Sequence, residues 1–122
     1  MASADRIRRY KNSYVWHKGI EIAEEIYKIT ERFPDEERHG MVPHMRRTSI
    51  SIPSNIAEGF ARGTVRERRQ FLYESLGDCS ELTTQLTVSY RIGYINLSTL
   101  NRLETHLEHI SKMLSALIRR VR

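Results

Sequence analysis

Few side chains in this 122-residue sequence have the types and spacing for chemistry. His106 and His109 stand three apart with Glu108 beside them, so they can share a helix face and offer two ligands to zinc. A structural zinc site takes four ligands, and no third is evident. A carboxylate-bridged di-iron bundle needs two Glu-x-x-His motifs on different helices, and the only such spacing is Glu36-Glu37-Arg38-His39, in a charged connector. Cys79 has Asp78 and Glu81 as neighbours, which offer no base to make it a nucleophile. As the single cysteine it cannot form an internal disulfide, and it reads as a small apolar core residue. There is no glycine-rich phosphate loop and no Ser-His-Asp order. The expectation is a protein that is not an enzyme, with no metal and no cofactor.

What remains is arginine. Residues 1–12 carry Arg6, Arg8, Arg9 and Lys11 against Asp5. Residues 62–69 carry Arg62, Arg66, Arg68 and Arg69 against Glu67, and residues 117–122 carry Arg119, Arg120 and Arg122. Each segment is net +3, so the rest of the chain must be net −4 to give the total of +5. Positive charge segregated in this way favours a polyanion partner, although arginines at termini and helix starts can equally be merely solvated. Arg62, Arg66 and Arg69 fall at steps of four and three, which can aim them to one side near a bundle end. Arg46 and Arg47 are candidates to extend that patch.

The elements that must carry these residues read as helices. With three prolines, six glycines, 39% hydrophobic and 29% charged residues, the composition is that of one amphipathic domain. No run is long and apolar enough to span a bilayer, and the start MASADRIRRYKN lacks the apolar core of a signal peptide, so a cytoplasmic location is expected. After Ser13 as N-cap, Val15, Gly19, Ile22, Ile26, Ile29 and Phe33 recur at helical steps, with a second seam of Trp16, Ile20, Ala23 and Tyr27 beside them. Phe33-Pro34 ends this helix. A second begins near Met41, with Pro43 tolerated in its first turn, and carries Met45, Thr48, Ser49, Ile52, Ile56 and Phe60. Pro53 lies inside it and predicts a kink rather than a break.

Gly63 predicts its C-terminal end, and Thr64-Val65-Arg66-Glu67 is a capping box for a third helix. That helix buries Phe71, Leu72, Leu76, Cys79, Leu82, Leu86 and Tyr90, and ends at Gly93. Ser98 is the expected cap of a fourth, whose seam is Leu100, Leu103, Leu107, Ile110, Leu114, Leu117 and Val121. The expected fold is all-α: a basic tail over residues 1–12, then an up-down-up-down antiparallel four-helix bundle over residues 13–122 with a kinked second helix.

Ser51-Ile52-Pro53-Ser54-Asn55-Ile56-Ala57-Glu58-Gly59, preceded by Arg46-Arg47 and followed by Arg62, resembles the signature of the four-helix-bundle proteins encoded in intervening sequences of bacterial 23S ribosomal RNA genes. Val15-Trp16 with Lys18, Phe33-Pro34 with Glu37 and Gly40, Ser80-Glu81-Leu82 with Gln85-Leu86, and Gly93-Tyr94-Ile95 extend the likeness over nearly all of the chain after the tail. Asp78 stands where relatives commonly have serine, and Pro43-His44 where many have an aliphatic residue and glutamine. The resemblance implies a homo-oligomer, a ring of five subunits. A similar sister group, the accessory variability proteins of diversity-generating retroelements, partners with a reverse transcriptase and nucleic acid.

Two functions follow as expectations. One is nucleic-acid binding, to RNA or DNA, in which Arg46, Arg47, Arg62, Arg66 and Arg69 contact phosphates with little sequence reading. The other is a protein-interaction scaffold or adaptor on which the basic surface is incidental. Pro53, Asn55, Ile56, Ala57, Glu58 and Gly59 are expected to act structurally or at a subunit interface. Asn55 and Glu58 share a face with Ser51 and Arg62, where they can satisfy backbone groups around Pro53 or meet a partner subunit.

Overall fold

The computed structural model describes residues 9–122, so Asp5, Arg6 and Arg8 of the basic tail lie outside the described residues. Four helices follow a short 3-10 turn at Arg9–Asn12: α1 Tyr14–Thr30, α2 Met41–Ala61, α3 Val65–Arg91 and α4 Leu97–Arg120. A second 3-10 turn, Asp35–Glu37, lies in the first connector, and the described residues include no strand. α2 packs between α1 and α3, and α4 packs on α3 and α1, so α1 and α3 share the same two neighbours. This is the packing of a helical bundle.

The core follows from the apolar steps. Ile22, Ile26, Met45, Ile52, Ile56, Leu82, Leu86, Leu103, Leu107, Ile110 and Leu114 are all fully buried, each side chain contributing about 1.5–3 kcal/mol by leaving water. On α4 the seam continues from Leu114 to Ile118 rather than to Leu117, because 3.6 residues per turn drifts against a strict heptad. Leu117 and Val121 are half-buried, and the helix ends at Arg120. Tyr90 is exposed, as is Tyr27, while Trp16 and Ile20 are only half-buried, so the second seam of α1 is largely a surface feature.

The ends correct several local expectations. Asn96, not Ser98, caps α4: its Oδ1 accepts the Thr99 N–H at 2.8 Å. Ser13 occupies the N-cap position of α1 without a side-chain cap bond. Thr64 caps α3 by accepting the Glu67 N–H at 3.1 Å, but its hydroxyl donates to Glu67 Oε1 at 3.0 Å, so the reciprocal half of the box is spent between side chains. Gly63 does not take the left-handed conformation of a terminating glycine; Gly93 does, at φ 88°. There the Tyr94 N–H reaches Ser89 O at 2.8 Å and the Gly93 N–H reaches Tyr90 O at 3.0 Å, the two bonds of a Schellman motif.

α2 runs unbroken through Pro53. The ring is buried against α1, where a Cβ on Gly19 would stand 3.2 Å from Pro53 Cβ. Six residues on, a Cβ on Gly59 would stand 3.2 Å from the Arg68 carbonyl oxygen, so α2 meets α3 as closely as it meets α1. Ser75 Oγ donates to Ile52 O at 2.9 Å inside this second contact. Glu37 joins the two connectors at the far end: its carboxylate accepts the Met41 N–H at 3.2 Å and the Tyr94 hydroxyl at 2.9 Å.

Candidate nucleic-acid interface

The last carbonyls of α4 have no partner within their own helix, and α3 begins with two adjacent arginines that supply donors. Arg69 gives Nη2 to Val121 O at 3.2 Å and Nε to Ile118 O at 3.4 Å. Arg68 gives Nη2 to Arg122 O at 2.6 Å and Nη1 to Arg62 O at 3.5 Å. These bonds draw the segment 117–122 onto the start of α3, so two net +3 segments far apart in sequence share one end of the bundle. Arg66, Arg119, Arg120 and Arg122 are exposed there, and the guanidinium of Arg66 has no hydrogen-bond or ion partner among the described residues. Arg62 is half-buried, paired with Glu58 at 2.8 Å and stacked over Phe71 at 4.7 Å.

Arg46 and Arg47 do not extend this end. Sixteen residues of α2 separate Arg46 from Arg62, about 24 Å at 1.5 Å per residue. Arg46 instead closes the C-terminus of α1, donating to Thr30 Oγ1 at 3.0 Å and Tyr27 O at 3.3 Å, with its guanidinium 4.5 Å from the Tyr27 ring centroid. Arg47 is exposed. Of the five arginines singled out in the sequence, Arg46, Arg62 and Arg69 have work inside the fold, and only Arg47 and Arg66 stand wholly outward. Arg68 was missed; the signal was its place at a helix start, where it can reach the end of another helix.

The signature residues divide between core and surface. Pro53, Ile56 and Gly59 are buried within the chain, while Ala57 is half-buried on the side facing α1. Asn55 Nδ2 donates to Ser51 Oγ at 3.1 Å and to Asp78 Oδ2 on α3 at 2.9 Å. Partial burial pushes the Asp78 carboxyl above its ordinary range, and the hydrogen bonds from Ser51 and Asn55 oppose that rise. In the sequence Asp78 stands out as a neighbour of Cys79 and as a departure from the family pattern, not as the partner of Asn55.

No catalytic arrangement emerges from the remaining candidates. Burial pushes the Cys79 thiol up to about 11, the opposite of activation. His106 faces α1, 4.0 Å from Glu21, and burial lowers its pKa, with Lys18 adding to the effect. His109 instead packs edge-on to Tyr14 at 6.1 Å. Among the described residues no group of three or more His, Cys, Asp or Glu side chains could hold a metal ion, and no helix is long and apolar enough to cross a membrane.

The described residues therefore form an all-α bundle with a basic end. The family model of the 23S rRNA-intervening sequence proteins matches residues 11–116, and the chain belongs to that family. A solved structure from Bacteroides thetaiotaomicron VPI-5482, described as a protein with unknown function from the S23 ribosomal protein family, has a similar fold. It superposes with a TM-score of 0.77 at 23% identity, over 85% of this chain and 97% of that one. No curated protein matches.

Proposed function

We propose that the chain is a non-catalytic, homo-oligomeric, up-down-up-down four-helix bundle, bent at Pro53, that binds RNA or DNA in the cytoplasm through its basic surface. The observation that carries this reading is the meeting of residues 62–69 with 117–122 at one end, where Arg66, Arg119, Arg120 and Arg122 are exposed together. In a ring of five, the assembly implied by the family resemblance, each subunit repeats that end. Weak single-site attraction then becomes avidity along one strand, because every later contact is intramolecular. Arg47 contributes separately, from another part of α2.

The scaffold reading also has an observation in its favour: Arg46, Arg62 and Arg69 hold helix ends and an ion pair, so part of the positive charge has a structural reason to be there. A protein partner such as a reverse transcriptase, suggested by the similar accessory variability proteins, fits either reading. Titrating fluorescent single-stranded RNA and DNA homopolymers across salt concentrations separates the two. Binding that weakens steeply with salt and depends little on sequence supports the nucleic-acid reading; no binding at low salt leaves the scaffold.

A further inference from the structure

Two exposed faces of this chain lack the charge that a solvated helix surface carries. The first is a groove of about 580 Å³ between α1 and α2, lined chiefly by Trp16, Ile20, Tyr27, Ile50, Pro53 and Ala57. Ile50, in the middle of α2, lines one end of it and is 43% exposed. The second is a stripe along the outside of α3: Tyr73, Gly77, Ser80, Thr84 and Val88, at steps of four, three, four and four, all exposed and none charged. Tyr73 is 58% exposed and Val88 45%.

Gly77 is the informative member. A glycine inside a helix is destabilising relative to alanine. A Cβ at this position would meet nothing within 4 Å, so packing within the chain does not account for it. Gly19 and Gly59, by contrast, each stand against a neighbouring helix. A close approach from outside the chain accounts for Gly77 in the same way. The rims are complementary in charge. The groove is edged by Glu24 and Lys28, neither with an ion partner among the described residues. The stripe is flanked by exposed Glu74 and Glu81, with Arg91 about one turn beyond Val88 and Arg66 about two turns before Tyr73, so each rim carries both signs and Glu24 can meet an arginine while Lys28 meets a carboxylate.

We propose that the α3 stripe of one copy seats in the α1–α2 groove of the next, with Gly77 where the two surfaces come closest, the Gly77–Thr84 span over Trp16 and Ile50, and Tyr73 and Val88 at the two mouths of the groove. This rests on the homo-oligomer reading above and adds to it the two faces that meet. They are different faces, since α1 and α3 are not neighbours in the bundle. The contact is therefore heterologous, and repeated head to tail it closes into a ring when the rotation per copy allows.

Ile50→Glu blocks only the groove and Val88→Glu blocks only the stripe, and neither residue is in the core. Sedimentation of each variant alone should give the 14.4 kDa single chain, with helicity and melting temperature kept. Mixed in equal amounts at high concentration, the two should raise the mean mass toward a dimer, because Ile50→Glu keeps its stripe and Val88→Glu keeps its groove. Gly77→Ala should raise the melting temperature of the isolated chain while weakening assembly, a combination that a purely internal role would not give. If the native chain assembles and both variants still do, or if the mixture gains no mass, this assignment of faces is wrong while the oligomer stands. If the native chain is itself a monomer at the same concentration, the oligomer reading falls and this one with it.

Discussion

Arg66 and Arg69 stand three residues apart at the start of α3, yet their substitution should separate stability from binding. Arg69→Gln removes two donors from the last carbonyls of α4, at 3.2 and 3.4 Å. Both bonds are long and near the surface, which places each at about 0.5 kcal/mol, the lower end for a protein hydrogen bond. The sum is about 1 kcal/mol. With an unfolding entropy of about 2.1 cal/mol/K per residue, a chain of this length should lose about 4 °C in Tm. Arg66→Gln removes an exposed guanidinium with no internal partner, so Tm should move by less than about 1 °C, within the range of ordinary surface changes. It should instead make the log–log dependence of RNA affinity on salt shallower by about 0.7 for each subunit engaged on the strand, the value for one single-strand phosphate contact. Thermal melts by circular dichroism and anisotropy titrations with single-stranded RNA read the two effects separately. An unchanged Tm in Arg69→Gln would refute the clamp on α4, and an unchanged salt slope in Arg66→Gln would refute the phosphate contact.

Two further outcomes follow from packing and titration. Gly19→Val puts new carbon atoms into the 3.2 Å contact with Pro53, an overpacking that should cost about 1–3 kcal/mol, whereas Gly63→Ala, with open space around it, should escape that penalty; melts of the pair check the contrast. Asp78 has a folded pKa above its unfolded value, so the native state holds the proton more tightly there and the stability linked to it is lost as pH rises through the folded value. Relative to Asp78→Asn, the wild type should therefore gain stability on going from pH 7 to pH 4; a gain in the opposite direction would show that the hydrogen bonds from Ser51 and Asn55 outweigh burial.

Periodicity was enough to place four helices because each apolar seam is long and continuous. The core of α4 could be followed from Leu100 to Leu114 from spacing alone. It slipped one position at Ile118, where drift of the helix against the heptad accumulates. Caps were less legible, since Asn96 and Ser98 are both good cap residues and only the backbone decides which one stands outside the helix. The arginines illustrate a deeper limit. A run of like charges reads as free surface, but whether Arg69 is free depends on α4 ending within its reach, a contact forty-nine residues away. The same holds for Asn55, whose partner Asp78 lies on another helix. Periodicity reports which face of a helix is buried; it does not report which polar groups meet across two helices.

The two tight approaches on α2 have a mechanical consequence. Gly19 rides on Pro53 and Gly59 rides on the α3 backbone, about 9 Å apart along one helix at 1.5 Å per residue. Shear between packed helices needs side chains that can ride over one another, and at these two points a backbone stands in the way. α1, α2 and α3 are in effect pinned together by two rivets. A load applied to any one of them is passed to the other two as a displacement of the whole, while the seams of α4, which have no such glycine, are where the bundle can give.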